Sequence, residues 1–168
     1  MPKLDVLTFP NPVLRKTCQP LQELDDGILE IARHMADTMY IYKGVGLAAS
    51  QVGVLKQLIV LDVGEGLITL LNPEITMAEG SETMEEGCLC LPKITVDIER
   101  HAKIQVQGID LQGNPACHEA EDLLARVFQH EIDHLKGTLI IDKLSKLKRD
   151  LAVKKYKKLQ EEQQKAEP

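Results

Sequence analysis

The 168-residue chain predicts an α+β fold, with mostly antiparallel sheets packed around a central helix and a further helix towards each end. Three observations predict it. Between Ile94 and Ile109, apolar residues alternate with polar ones at strand spacing, and the short links between such runs favour antiparallel pairing. Apolar residues recur at helical spacing around Ile28–Met39 and Leu123–Ile132. A Lys-rich polar run follows Ser145, which is suited to cap a helix.

In order, Asp25-Asp26-Gly27 opens the first helix, whose apolar face is Ile28, Ile31, Ala32, Met35 and Met39. Gly44 and Gly46 end it. Leu55 to Val63 reads as a mostly buried strand, and Leu67 to Leu71 as another, stopped by Asn72-Pro73. Ile94, Val96 and Ile98 alternate with Thr95, Asp97 and Glu99 in a half-buried strand. Ile104, Val106 and Ile109 mark the next strand, with Gly108 expected as a bulge. Gln112-Gly113-Asn114-Pro115 is a turn. A second helix is expected from about Glu121 to Lys136, with Leu123, Leu124, Val127, Phe128 and Ile132 on its apolar side and Gly137 just past its end. The last helix is expected over about 145–163, with a polar end that frays. No repeat or linker divides the chain, so residues 1–168 read as one domain.

Hydrophobic residues make up 43% and charged residues 27%, an ordinary balance for a soluble globular protein. There is no Trp, so the core is built from aliphatic side chains. A net charge of −6 gives no general attraction to DNA. No apolar run reaches the ~18 residues of a membrane span, and the start lacks a signal-peptide core. A cytoplasmic location is expected. Of the four cysteines, Cys18, Cys88, Cys90 and Cys117, the grouped Cys88 and Cys90 in that setting point to metal or catalysis rather than to disulfides, and Cys18 and Cys117 read as inert thiols.

Three segments carry chemistry. In His130-Glu131-Ile132-Asp133-His134 the two histidines fall one helical turn apart, where they can grip one metal ion. Glu131 is then placed to act as general base, the alternative being two surface histidines on a polar face. A catalytic site usually has a third protein ligand. Downstream only Asp142 offers one, and upstream Glu86-Gly87-Cys88-Leu89-Cys90 offers thiolates, which taken alone could equally be buried structural cysteines. Gly44-Val45-Gly46-Leu47-Ala48-Ala49-Ser50-Gln51 is either a tight turn packed on the core or a close approach to the site, with the Gln51 amide donating to an oxyanion.

In order, these segments resemble the three signature motifs of the peptide deformylase family: G-x-G-L-A-A-x-Q, E-G-C-L-S and H-E-x-D-H. The likeness runs from Phe9-Pro10-Asn11-Pro12 to the final helix. It implies hydrolysis of the N-terminal formyl group from formyl-methionyl nascent polypeptides, with release of formate. It implies that Cys88, His130 and His134 bind one divalent metal, Fe²⁺ natively, with Zn²⁺, Ni²⁺ or Co²⁺ able to replace it. Metal-bound hydroxide would attack the formyl carbon with Glu131 as general acid/base, and Gln51 with the Leu89 N–H would hold the oxyanion. Val45, Gly46 and Met84 flank the motifs and are expected to contact the substrate. One position departs from the family: Cys90 stands where its second motif ends in Ser, and in an extended segment it would share a side with Cys88.

Two rival readings remain at this point. A zinc protease would need a downstream third ligand, and a closed structural site would use Cys88, Cys90, His130 and His134 together. Near the C-terminus, Lys143, Lys146, Lys148, Arg149, Lys154, Lys155, Lys157 and Lys158 form a basic stretch. It is either a solvated helix face or, as the resemblance implies, a surface that docks on the ribosome. Arg100 is expected to form a structural ion pair.

Overall fold

The computed structural model describes residues 3–166. The first helix, α1, spans Asp26–Ile41. Asp25 caps it by accepting a 2.9 Å hydrogen bond from the Ile28 N–H. Five antiparallel strands form the larger sheet: β1 (Gly46–Ala48), β2 (Leu58–Leu61), β3 (Ile68–Glu79), β6 (Lys103–Ile109) and β7 (Pro115–Glu121), side by side in that order. Strands β4 (Glu82–Cys88) and β5 (Leu91–Arg100) form a separate hairpin. Helix α2 covers Asp122–Leu135 and α3 covers Lys146–Ala166.

Strand β2 explains the layering. Ile59 and Leu61 pack with Val127, Phe128 and Ile132 of α2. Leu58 and Val60 pack with Ala32, Met35 and Met39 of α1. Successive side chains of a strand point to opposite faces, so the sheet is covered by α1 on one face and α2 on the other. A strand buried on both faces is apolar throughout, which is why Leu55–Val63 reads as one run, although only its middle forms the ladder. A further core joins β5 to α3 through Leu91, Ile94, Ile98, Ile141 and Tyr156.

The structure corrects four expectations. Strand β3 does not stop at Asn72-Pro73. Asn72 takes a left-handed φ of +50° inside a register shift between Leu71 and Glu74, and its amide exchanges hydrogen bonds with the Leu21 backbone. A bulge tolerates Pro73, because its missing N–H falls where the ladder is already broken. Gly108 is not the bulge: it pairs in regular register with Ala116. What requires glycine there is closeness, since a Cβ would lie 2.6 Å from Leu70 Cγ. Cys88 and Cys90 are adjacent through a turn at Leu89-Cys90, not an extended segment. Finally, α3 stays helical through Ala166, while residues 167–168 of the expected frayed end lie outside the described region.

Helix α2 ends as its sequence implies. Gly137 has φ +76°, and any side chain there would run into the Arg15 carbonyl. Ser145 accepts a hydrogen bond from the Lys148 N–H at 3.3 Å, consistent with an N-cap. Among the described residues, no helix is long and apolar enough to cross a membrane.

Candidate metal centre

Helix α2 runs through the interior with His130, Glu131 and His134 all buried. One turn apart, the two imidazoles face the same way, and their Nε2 atoms lie 3.2 Å from each other. The end of β4 brings Cys88 Sγ to 3.2 Å from His134 Nε2. The three candidate donor atoms lie within 4.8 Å of one another. Cys90 is not among them, so the closed four-ligand arrangement has no fourth donor here. Asp142 is engaged elsewhere, with Arg15 and the Leu139 N–H, which leaves the protease reading without its downstream ligand.

A buried ionic shell sets the orientation of His130. Glu86 Oε1 lies 2.9 Å from His130 Nδ1. Arg100 holds the same carboxylate through Nε at 2.6 Å and Nη2 at 2.9 Å, and reaches Asp133 through Nη1 at 2.8 Å. Arg126 also donates to Glu86 and to the Ile98 carbonyl. Burial alone would raise the pKa of Glu86, but hydrogen bonds from His130 and Arg100 outweigh it and hold the carboxyl at about 2. A carboxylate in that place fixes a proton on Nδ1 and turns the Nε2 lone pair toward Cys88 and His134.

Glu131 has the opposite environment. Only 3% of its surface is exposed, and Oε1 has no hydrogen-bond partner. Burial pushes its pKa up to about 7, and the nearby His130 and Arg100 only partly oppose this. A carboxyl poised near neutrality suits proton transfer in both directions. Gly46 allows β1 to pass against it, since a Cβ there would sit 2.5 Å from Glu131 Oε2. Gln51 is fixed by the Ala48 N–H, which donates to its Oε1 at 2.9 Å, while its Nε2 points at Cys88 Sγ, 3.6 Å away.

The residues suit a divalent cation. Tetrahedral coordination at ordinary metal–N and metal–S lengths separates two nitrogens by about 3.3 Å and a nitrogen from a sulfur by about 3.5 Å. The observed 3.2 Å spacings are close to both. Burial disfavours an imidazolium at His130, yet the neighbouring Cys88 and Glu131 and the hydrogen bond with Glu86 raise its pKa above the ordinary value. Hydrogen bonding with Cys90 and burial push the Cys88 thiol up to about 11, a shift that a neighbouring cation reverses.

A cleft of about 660 Å³ opens above this cluster. Val45, Gly46 and Met84 line it, together with Gln51, Leu89 and Glu131. Leu123 lines it too, 43% exposed, although its helical spacing assigns it to the core. Arg126 escaped the sequence reading altogether. Its only signal is a charge four residues before His130, on the face of α2 that the histidines show to be inward.

The fold and the cluster together define a metallohydrolase: a helix supplies two imidazoles and a buried carboxyl, and a hairpin end supplies a thiol. Residues 3–150 match the polypeptide deformylase family. A peptide deformylase from Caldanaerobacter subterraneus is 49% identical over 132 residues, 79% of this chain and 83% of that one. The crystal structure of a peptide deformylase from Legionella pneumophila superposes with a TM-score of 0.94 at 38% identity, covering 99% of this chain and 100% of the other. That of Ehrlichia chaffeensis peptide deformylase in complex with actinonin gives 0.91 at 38% identity, over 94% and 98% of the two chains. This chain belongs to the polypeptide deformylase family.

Proposed function

We propose that this chain removes the formyl group from formyl-methionyl peptides as a single catalytic unit, releasing formate. The observation that carries the reading is Glu131, whose unpartnered, buried Oε1 stands beside three converging ligand atoms at the floor of a cleft. Cys88, His130 and His134 hold one divalent ion, with Fe²⁺ as the native choice and Zn²⁺, Ni²⁺ or Co²⁺ as substitutes. When bound, that ion supplies Lewis acidity, polarising a carbonyl oxygen and acidifying water.

The chain's own groups do the rest. Glu131 takes a proton at Oε1 and returns it to the leaving amine nitrogen, a transfer its pKa of about 7 permits in both directions. The Gln51 Nε2 and the Leu89 backbone N–H donate to the developing oxyanion. Such a donor is worth about 3 kcal/mol of the barrier. Val45, Gly46 and Met84 form the wall that receives the methionyl unit and shields the reacting atoms from water. Reaction in the cytoplasm, with α3 docking on the ribosome, would place the cleft near emerging formylated chains.

The test is formate release from a formyl-Met peptide by anaerobically purified, Fe²⁺- or Ni²⁺-loaded protein. Glu131→Ala should retain one metal per chain and lose at least ~10²-fold in kcat/KM. Turnover by that variant near the wild-type rate would overturn the assignment of the base.

A further inference from the structure

Cys90 is fully buried and its Sγ lies 3.1 Å from Cys88 Sγ, with no disulfide between them. The two thiols differ in access. Cys88 lines the cleft and is partly exposed, whereas Cys90 has no exposed surface and does not line it. A small oxidant entering the cleft therefore meets Cys88 first. A hydroxyl at position 90, as in the family's second motif, could not respond to that event, but a thiol can.

We propose that Cys88 and Cys90 form a reversible thiol modification site, in which oxidation of Cys88 by a hydroperoxide is resolved by Cys90 as a disulfide. Cys88 sulfur attacks the peroxide O–O bond, giving a sulfenic acid and the corresponding alcohol or water. Cys90 sulfur then attacks the sulfenic sulfur, an S–S bond forms as the S–O bond breaks, and the thiol proton leaves with the hydroxide as water. Two thiols and one hydroperoxide become one disulfide, one alcohol and one water. Both sulfurs are oxidised and the peroxide is reduced. The sulfurs need only close from 3.1 Å to about 2.05 Å, a shift within reach of a small side-chain rotation.

Two consequences follow. Cys88 is protected from the irreversible sulfinic and sulfonic states, because the resolving thiol is already in contact. The disulfide sulfur is also a poor metal ligand, since the thiolate is what binds. This second consequence rests on the assignment of Cys88 as a ligand. The pair would then release the metal on oxidation and accept it again after reduction.

The experiment uses nickel-loaded full-length protein treated with a small excess of hydrogen peroxide, then alkylated and mapped by mass spectrometry, with released nickel measured in parallel. Wild type should lose two of its four thiols, carry a Cys88–Cys90 crosslink, release its nickel, and regain both thiols and nickel after dithiothreitol. Cys90→Ser should bind nickel normally before treatment, but gain oxygen atoms on Cys88 that dithiothreitol does not remove. A Cys18→Ser/Cys117→Ser variant should behave as wild type. Oxygen adducts on Cys88 of the wild type, or recovery equal to that of Cys90→Ser, would overturn the proposal while leaving the ligand assignment intact. A crosslink formed with nickel retained would instead support the thiol site and overturn the ligand assignment.

Discussion

Gly46 shows how much of this site depends on a missing atom. A Cβ at that position would lie 2.5 Å from Glu131 Oε2 and 2.8 Å from Val127 Cγ1. Neither neighbour can retreat freely, because both sit on the buried face of α2. Gly46→Ala should therefore displace the carboxyl rather than the ligands. An ångström of displacement at a reacting group can cost ~10²-fold in rate. The expected outcome is a kcat lower by about that factor with metal content unchanged, read by steady-state kinetics and metal analysis. An unaltered kcat would mean that β1 does not constrain Glu131. Spacing in the sequence was enough to single out only the helix part of this site, His130 and His134 one turn apart with Glu131 beside the first; Cys88 and Gln51 stood out only through the family resemblance, and Arg126 not at all. Spacing could not supply their state. The pKa of Glu131 near 7 comes from burial, and the low pKa of Glu86 from partners distant in sequence, such as Arg100 and His130. Local pattern encodes neither.

The hairpin and α2 are separate elements joined by one ionic cluster, and Glu86 is its centre. From β4 it contacts His130 and Arg126 on α2 and Arg100 at the end of β5. Its carboxyl titrates at about 2 when folded, below the ordinary 4.5, so between these values the unfolded chain binds more protons. The stability it provides is complete above pH 4.5 and is lost as pH falls toward 2. Glu86→Gln leaves Arg100 and Arg126 buried without their shared anion, which should cost ~3–5 kcal/mol at pH 7. The gap from wild type should narrow as pH falls below 4.5, measured by urea unfolding across that range. A constant gap would show that Glu86 is not the titrating link. Strand β4 itself was hard to read because its inward position carries a charge: Glu82-Thr83-Met84-Glu85-Glu86 has no apolar alternation. Strand β7 was hidden differently, since small Ala116 and Ala120 face inward there and give a weak signal. Helices α1 and α2 and strand β5 were legible because apolar residues fill most of their buried positions at regular spacing.

At the scale of the whole molecule, α3 is fastened to the rest through a narrow stripe and leaves another face free. Tyr156 is its one buried residue; the hydroxyl donates to the Phe9 carbonyl at 2.9 Å, and the ring meets Phe9 edge-on at 5.8 Å. Leu147 and Leu151 are 69% and 58% exposed, and Lys154 and Lys158 continue along the same side at helical spacing. An apolar and basic face on a chain of net charge −6 suits an anionic partner surface with apolar recesses, as ribosomal RNA and protein together provide. Truncation after Lys143 would be a poor test, since removing Tyr156 opens the core beneath Phe9 and Leu91. Reversing charge at Lys154 and Lys158 leaves that core untouched. Wild type should pellet with ribosomes at low salt and release as salt rises, because displaced counterions make such contacts salt-dependent. Lys154→Glu/Lys158→Glu should lose pelleting while keeping the melting temperature and the deformylation of free formyl-Met peptides. If both proteins pellet alike at every salt concentration, this face of α3 is only a solvated surface. If the variant also loses activity on free peptide, the helix supports the catalytic fold rather than its delivery to nascent chains.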